Sequence, residues 1–185
     1  RRSETLGLAR VYPIGALTQQ LAGEKLAEMN SLARAGCIAF SQAKRAIVDT
    51  QLLLRAMQYA ATFGYAVRLR PQDQFLTGDG VAHDGEVASR LGLASIPVSA
   101  ETVAIATALL LASQTGVRLH LSRLSSAAGI ALIRQARRSN VQVTCDVAVH
   151  HLHLSEMDIG YFDSNARFDP PLRSASDRDA LRTAV

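Results

Sequence analysis

Apolar positions along the chain alternate between two rhythms. Short apolar runs are each followed by a longer stretch whose apolar residues fall three and four apart, the pattern of a buried strand leading into a helix. The sharpest case is residues 117–124, V-R-L-H-L-S-R-L, in which Val117, Leu119 and Leu121 sit between Gly116 and the Ser125-Ser126 pair. This run predicts a parallel-sheet strand, with residues 127–138 as the helix after it. Arg123 then falls at the strand's C-terminal end, and Arg70 ends the run 65–70 in the same way. Upstream, residues 10–14 predict a short strand running into Gly15. Residues 17–34 have helical spacing at Leu21, Leu26, Met29 and Leu32, with Gly36 as the stop. Residues 37–40 read as the next strand, and Asp49 or Thr50 caps a helix through Leu53, Leu54, Met57 and Tyr59 to Gly64. Residues 71–85 read as a long polar loop, 86–93 as a short helix, and the stretch from Ser99 or Ala100 to Gly116 as a longer one. Residues 141–147 predict the fifth strand, residues 162–171 a loop and residues 177–184 a last helix.

Five buried strands alternating with helices predict a parallel α/β architecture. No strand is followed by G-x-G-x-x-G or a Walker-type glycine loop, which argues against a nucleotide fold. A (β/α)₈ TIM-type barrel covered in part, with about five βα units in one domain over residues 1–185, fits the pattern better. Five units leave open sheet edges, so the expectation is that the chain belongs to a longer protein; the missing initiator Met points the same way. Chemistry in such barrels sits at the C-terminal rim, where Arg70 and Arg123 fall. Arginine keeps its proton near neutrality and has no lone pair to offer a metal.

Composition narrows the partners. At 48% hydrophobic and 19% charged the chain is globular. Its net charge of +4 raises nucleic acid as a partner, but the basic residues are dispersed, with only Arg134, Arg137 and Arg138 on one helix, and aromatics make up 5%. No nucleic-acid partner is therefore expected. Cys37 and Cys145 lie in separate apolar runs, so free thiols and a reducing cytoplasm are expected rather than a disulfide framework or a zinc-type spacing. No apolar run approaches a membrane span, and the opening R-R-S-E-T-L-G lacks the apolar core of a signal peptide.

Six blocks stand in order: V-Y-P-I-G-A-L-T, A-E-M-N-S-L-A-R-A-G-C-I-A-F-S, G-E-V-A-S-R-L-G-L-A-S-I-P, L-H-L-S-R-L-S-S-A-A-G, V-T-C-D-V-A-V-H-H-L-H-L and D-S-N-A-R-F-D-P-P-L-R. Over residues 11–173 they resemble the bacterial type I dihydroorotase family of the amidohydrolase superfamily. The resemblance implies a barrel enzyme that opens or closes the dihydroorotate ring with zinc held by histidines and carboxylates at the rim. Metal activation of water needs several lone-pair ligands on neighbouring strand ends. Where the family usually has F-S-D-D-G, this chain has Phe40-Ser41-Gln42-Ala43-Lys44, with neither Gln42 nor Ala43 acidic. Where it has a histidine before Cys or Ala and Glu-Asp, this chain has Arg70-Pro71-Gln72-Asp73. In the family's H-x-x-H-V-S pattern the metal histidine falls on Arg123, with His120 as the buried earlier histidine. The family's N-terminal H-x-H and its late catalytic aspartate fall outside the covered residues. Asn165 matches a substrate-contacting asparagine, while Arg167 and Asp169 stand where Lys and Asn are commoner.

Arg70 and Arg123 admit two readings: an anion site for dihydroorotate or carbamoyl aspartate, or, as the favoured reading, cations that fill a vacated metal cavity and pair with Asp73, Asp146 or another carboxylate. His150, His151 and His153 look metal-like, but the family carries a similar block as a structural feature. His83 with Asp84 and Glu86 is a weak acid/base candidate in a connecting loop. The resemblance is closest to inactive pseudo-dihydroorotases. It implies a protein with no catalytic residue and no metal cofactor, which serves as the non-catalytic chain in a hetero-oligomer with the aspartate carbamoyltransferase catalytic chain. The alternative is an active zinc-dependent dihydroorotase. A sensor reading a pyrimidine precursor through Arg70, Arg123 and Asn165 is a third possibility.

Overall fold

The computed structural model describes residue 5 and residues 7–185. Most of the opening R-R-S-E-T-L-G segment, read above for a targeting signal, lies outside the described residues. In chain order the elements are β1 (Ile14–Ala16), α1 (Met29–Arg34), β2 (Ala39–Ser41), α2 (Thr50–Thr62), β3 (Ala66–Leu69), α3 (Gln74–Thr77), β4 (Ala82–His83), α4 (Glu86–Leu91), β5 (Ser95–Ile96), α5 (Ser99–Thr115), β6 (Arg118–Leu121), α6 (Ala127–Arg138), β7 (Val143–Cys145), α7 (Val149–His153) and α8 (Ala175–Ala184). Five strands form one parallel sheet in the order β1-β2-β3-β6-β7, and β4 pairs with β5 in a separate parallel ribbon. Each strand of the main sheet lies beside the one before it, the order of a barrel opened out.

Local chemistry sets the helix ends. The Asp49 carboxylate accepts the N–H groups of Gln51 and Leu52, which starts α2 at Thr50. The Ser126 hydroxyl accepts the N–H of Gly129 and starts α6. Gly116, at φ 69°, ends α5 in the left-handed conformation that glycine adopts without strain. From α2, Leu53, Ala56, Met57 and Ala60 meet Phe40 and Val67 of the sheet, while Ile105 of α5 and Ile130 and Ile133 of α6 join Leu119 and Leu121 in the same buried cluster. Removing that apolar surface from water is the main driving force for the sheet–helix layer.

The strands are two-faced rather than buried throughout. Phe40, Val67, Leu119 and Leu121 pack toward the helices, while the register places Ser41 beside Arg68, Arg68 beside His120 and His120 beside Thr144 on the opposite face.

Three expectations need correction. Of residues 17–34, only Met29–Arg34 is α-helical. Gln20 and Leu21 have φ of 53° and 57°, Thr18 bridges to Leu26, and the Thr18 hydroxyl accepts the Gly23 N–H at 3.0 Å. That side-chain-to-backbone bond offers the segment an alternative to helical pairing. The loop 71–85 contains α3, capped by the Asp73 carboxylate, and β4. The first strand begins at Ile14 rather than at residue 10; Pro13, just before it, has no N–H, but its carbonyl accepts the Ile38 N–H at 3.0 Å.

Candidate functional site

The C-terminal ends of β2, β3, β6 and β7 meet in a polar rim. His120 bridges two strand ends: its Nδ1 lies 2.8 Å from Thr144 Oγ1 and its Nε2 2.9 Å from Asp146 Oδ2. Arg68 Nη2 donates to the same Asp146 oxygen at 3.0 Å, and the Arg123 N–H donates to Asp146 Oδ1 at 2.7 Å. Burial pushes the Asp146 carboxyl up, but the bonds from His120 and the Arg123 N–H, with the charges of His120 and Arg68, outweigh it. The net shift is below the ordinary carboxylate value, so Asp146 is held as an anion. The backbone bond also holds Arg123 at φ 61°, a left-handed conformation costing roughly 1–2 kcal/mol for a residue with a side chain.

Arg70 sits deeper, its side chain 8% exposed, and both its terminal nitrogens meet the two carboxylate oxygens of Asp169, Nη1 to Oδ2 at 2.6 Å. A planar fork on a planar carboxylate is the strongest side-chain pair available to arginine. Arg123 Nη1 reaches only the Asp169 carbonyl, at 3.4 Å. Of the partners foreseen for these arginines, Arg70 takes another carboxylate, Asp169, while the Arg123 guanidinium pairs with none among the described residues. Asp73 caps α3, and Asp146 takes Arg68 and His120.

At the end of β2, Gln42 is 2% exposed and its Oε1 accepts from the Thr18 hydroxyl at 2.9 Å. Its Nε2 is buried with no hydrogen-bond partner among the described residues. Ala43, at φ 54°, offers no donor atom in its side chain. These four positions do not fit a divalent metal: two carry fixed positive charge, one is a methyl, and the last has its only oxygen engaged. Two guanidinium groups within several Å of a dication oppose it by a few kcal/mol per pair even at a generous effective dielectric. Among the described residues no group of three or more His, Cys, Asp or Glu is placed to hold a metal ion.

The other candidates disperse. The His150 ring stacks on Phe168 at 4.0 Å, and His151 Nε2 lies 3.2 Å from the Pro171 carbonyl oxygen. Burial, aided by His150, pushes the His151 imidazole down to about 4. His153 is exposed at the end of α7. His83 Nδ1 lies 3.2 Å from Arg173 Nη1, while Asp84 accepts from the Ser95 hydroxyl, so the proposed acid/base pair is not assembled. Asn165 is exposed and donates to Asp163 at 3.0 Å. His120, expected to be buried, is 29% exposed on the open face.

Arg68 was not foreseen as part of the site. Its signal was the charge inside the apolar run A-V-R-L, which the register sets beside His120. A second missed group is Glu101 with Arg173, each under 5% exposed and joined through Ser125. Its signal was a lone acid in an otherwise uncharged helix.

A polar cluster at the C-terminal rim of a parallel sheet backed by helices is the arrangement of a sector of a (β/α) barrel. L-Hydantoinase (dihydropyrimidinase) from Arthrobacter aurescens has this fold, with TM-score 0.74 and 24% identity over 92% of this chain and 39% of its own. Dihydroorotase in complex with 5-fluoroorotic acid from Saccharomyces cerevisiae has it too, with TM-score 0.60 and 16% identity over 90% of this chain and 46% of its own. Residues 1–128 match the dihydro-orotase-like family, and the chain belongs to that family. It is 48% identical to a dihydroorotase-like protein of Pseudomonas aeruginosa, over 100% of this chain and 44% of that protein. It is 43% identical to a dihydroorotase of Pelotomaculum thermopropionicum, over 97% of this chain and 42% of that protein. The chain thus spans less than half the length of these relatives.

Proposed function

We propose that this chain belongs to a non-catalytic dihydroorotase-like protein of pyrimidine biosynthesis, an assembly subunit that binds the aspartate carbamoyltransferase catalytic chain in a cytoplasmic hetero-oligomer. The observation that carries the reading is the Arg70–Asp169 pair. An ion pair within the chain stands where the family resemblance puts a metal ligand; Ala43 and Arg123 offer no side-chain lone pair, and the one side-chain oxygen of Gln42 already accepts from the Thr18 hydroxyl. Loss of the ligands leaves the apolar strand and helix positions intact, so the scaffold keeps its outer surfaces. In this role the protein acts by mass action: an interface that exists only in the assembled state stabilises the partner's oligomer.

The runner-up is an active zinc-dependent dihydroorotase, favoured by the 43% identity to a protein that carries that name. It requires all metal ligands to come from strands beyond this chain, with Arg70 and Arg123 turned aside.

Metal content separates the two. The complete natural polypeptide, purified without chelator, is expected to hold well under one zinc per chain and to co-purify with aspartate carbamoyltransferase. About two metals per chain, the complement of a binuclear site, together with turnover of dihydroorotate, overturns the proposal.

A further inference from the structure

Beside the paired arginines lies a cavity of about 360 Å³ whose polar lining is Ser41, Lys44, Arg68, Arg70, Ser122 and Arg123, with no carboxylate side chain in its wall. Two of these cations have acidic partners, Arg68 with Asp146 and Arg70 with Asp169. Lys44 and Arg123 are exposed and have no carboxylate within ion-pair distance among the described residues. Four cations against two carboxylates leave two positive charges unbalanced around one small cavity.

We propose that this cavity binds the phosphoryl group of a small phosphorylated molecule, with Lys44 and Arg123 as its principal contacts and Arg70 as a third. The inference rests on the reading that no metal occupies the rim. The charge surplus matches a dianion. The donors follow the ends of three different strands, β2, β3 and β6, and line one cavity, so a tetrahedral oxyanion there can be met from more than one strand; a planar carboxylate is satisfied by a single fork, as Asp169 already shows on Arg70. Ser41 and Ser122 supply hydroxyls at the same rim. The volume exceeds that of inorganic phosphate, which leaves space for an organic substituent. Asp169 is the internal competitor: its carboxylate neutralises Arg70 when no ligand is bound and weakens the attraction for an incoming anion.

The test uses the complete natural polypeptide, titrated calorimetrically at constant ionic strength with inorganic phosphate, glycerol phosphate and succinate. Saturable binding of phosphate or glycerol phosphate at one site is expected, with succinate much weaker; tighter binding of glycerol phosphate identifies a monoester rather than free phosphate as the ligand. Lys44→Ala and Arg123→Ala alter exposed side chains, and each is expected to weaken binding by about tenfold or more, the loss of one charge-assisted bond. Asp169→Asn is expected to tighten it several-fold. No binding above the ionic-strength control, equal binding of succinate, or unchanged affinity in the Lys44→Ala/Arg123→Ala double variant overturns the inference. Zinc content measured on the same preparation keeps the two claims apart. A metal-free protein that ignores phosphate sinks only this inference, whereas a zinc-loaded protein sinks the non-catalytic reading beneath it.

Discussion

Arg70 and Arg123 end their strands alike in sequence and differently in space. One is buried and doubly bonded to a carboxylate; the other is exposed, held by its backbone, with its guanidinium nearly free. The apolar runs were enough to put both at strand ends. Their environments were not legible, because Asp169 lies 99 residues from Arg70 and no periodicity reports a contact across that separation. The same holds for His151, whose place in a histidine cluster suggested a metal while its surroundings make it a packed, neutral ring. Its imidazole titrates near 4 in the folded protein, against the ordinary histidine value of 6.5. The unfolded chain therefore takes up a proton that the folded chain refuses, and stability falls as pH drops from about 6.5 toward 4. The loss is on the order of 3 kcal/mol. Urea unfolding across that window is expected to show the decline, and His151→Leu, which cannot charge, is expected to remove most of it. His83 and His150, also shifted down by burial, supply the remainder. A slope unchanged in the variant assigns the effect elsewhere.

Among the elements, α5 was the easiest to bound and the hardest to interpret. Its ends at Ser99 and Gly116 follow from the apolar run and the glycine stop, yet it is apolar all round and shows no clear face. What orients it is Glu101, whose carboxylate accepts four bonds from the backbone and hydroxyls of Ser125 and Ser126. Arg173 closes the group through Ser125 Oγ at 3.2 Å and the Ile96 carbonyl at 2.6 Å. At Gly129 a Cβ would come within 2.5 Å of Glu101 Oε1, so α6 approaches α5 closely there only because the residue is glycine. Glu101→Gln removes the strongest of the negative charges around the buried Arg173, leaving Asp177 and Asp84, and turns an amide donor toward hydroxyl and N–H donors. We expect a loss of about 3–5 kcal/mol in chemical denaturation. A cost below about 1 kcal/mol, the worth of an ordinary hydrogen bond, shows that the group is not load-sharing. The elements that escaped sequence reading share a physical reason. β4 and β5 are two residues each, too short for an alternation to register, and the region before α1 is shaped by one Thr18 hydroxyl rather than by its apolar spacing.

At the scale of the whole molecule, the parallel order β1-β2-β3-β6-β7 leaves β1 and β7 each with one unpaired side. Near the β1 edge Val11, Tyr12, Ile14 and Ile38 are between 43% and 62% exposed. Unpaired N–H and C=O groups beside exposed apolar side chains are a template for pairing with another chain. The 185-residue chain by itself is therefore expected to self-associate at about 100 µM in light scattering, and the complete natural polypeptide to do so less. A monodisperse monomer at that concentration contradicts this. The barrel class and the five strands of the main sheet were legible because each of those strands carries a short apolar run; the β4–β5 ribbon was not.

The Arg70–Asp169 pair is also lopsided in its dependence. Its two members are unequal, the arginine 8% exposed and the aspartate 49%. Losing Asp169 strands a buried charge, whereas losing Arg70 leaves a carboxylate that water can still solvate. Arg70 therefore depends on Asp169 more than Asp169 depends on Arg70, and Asp169→Ala is expected to cost more stability in urea unfolding than Arg70→Ala.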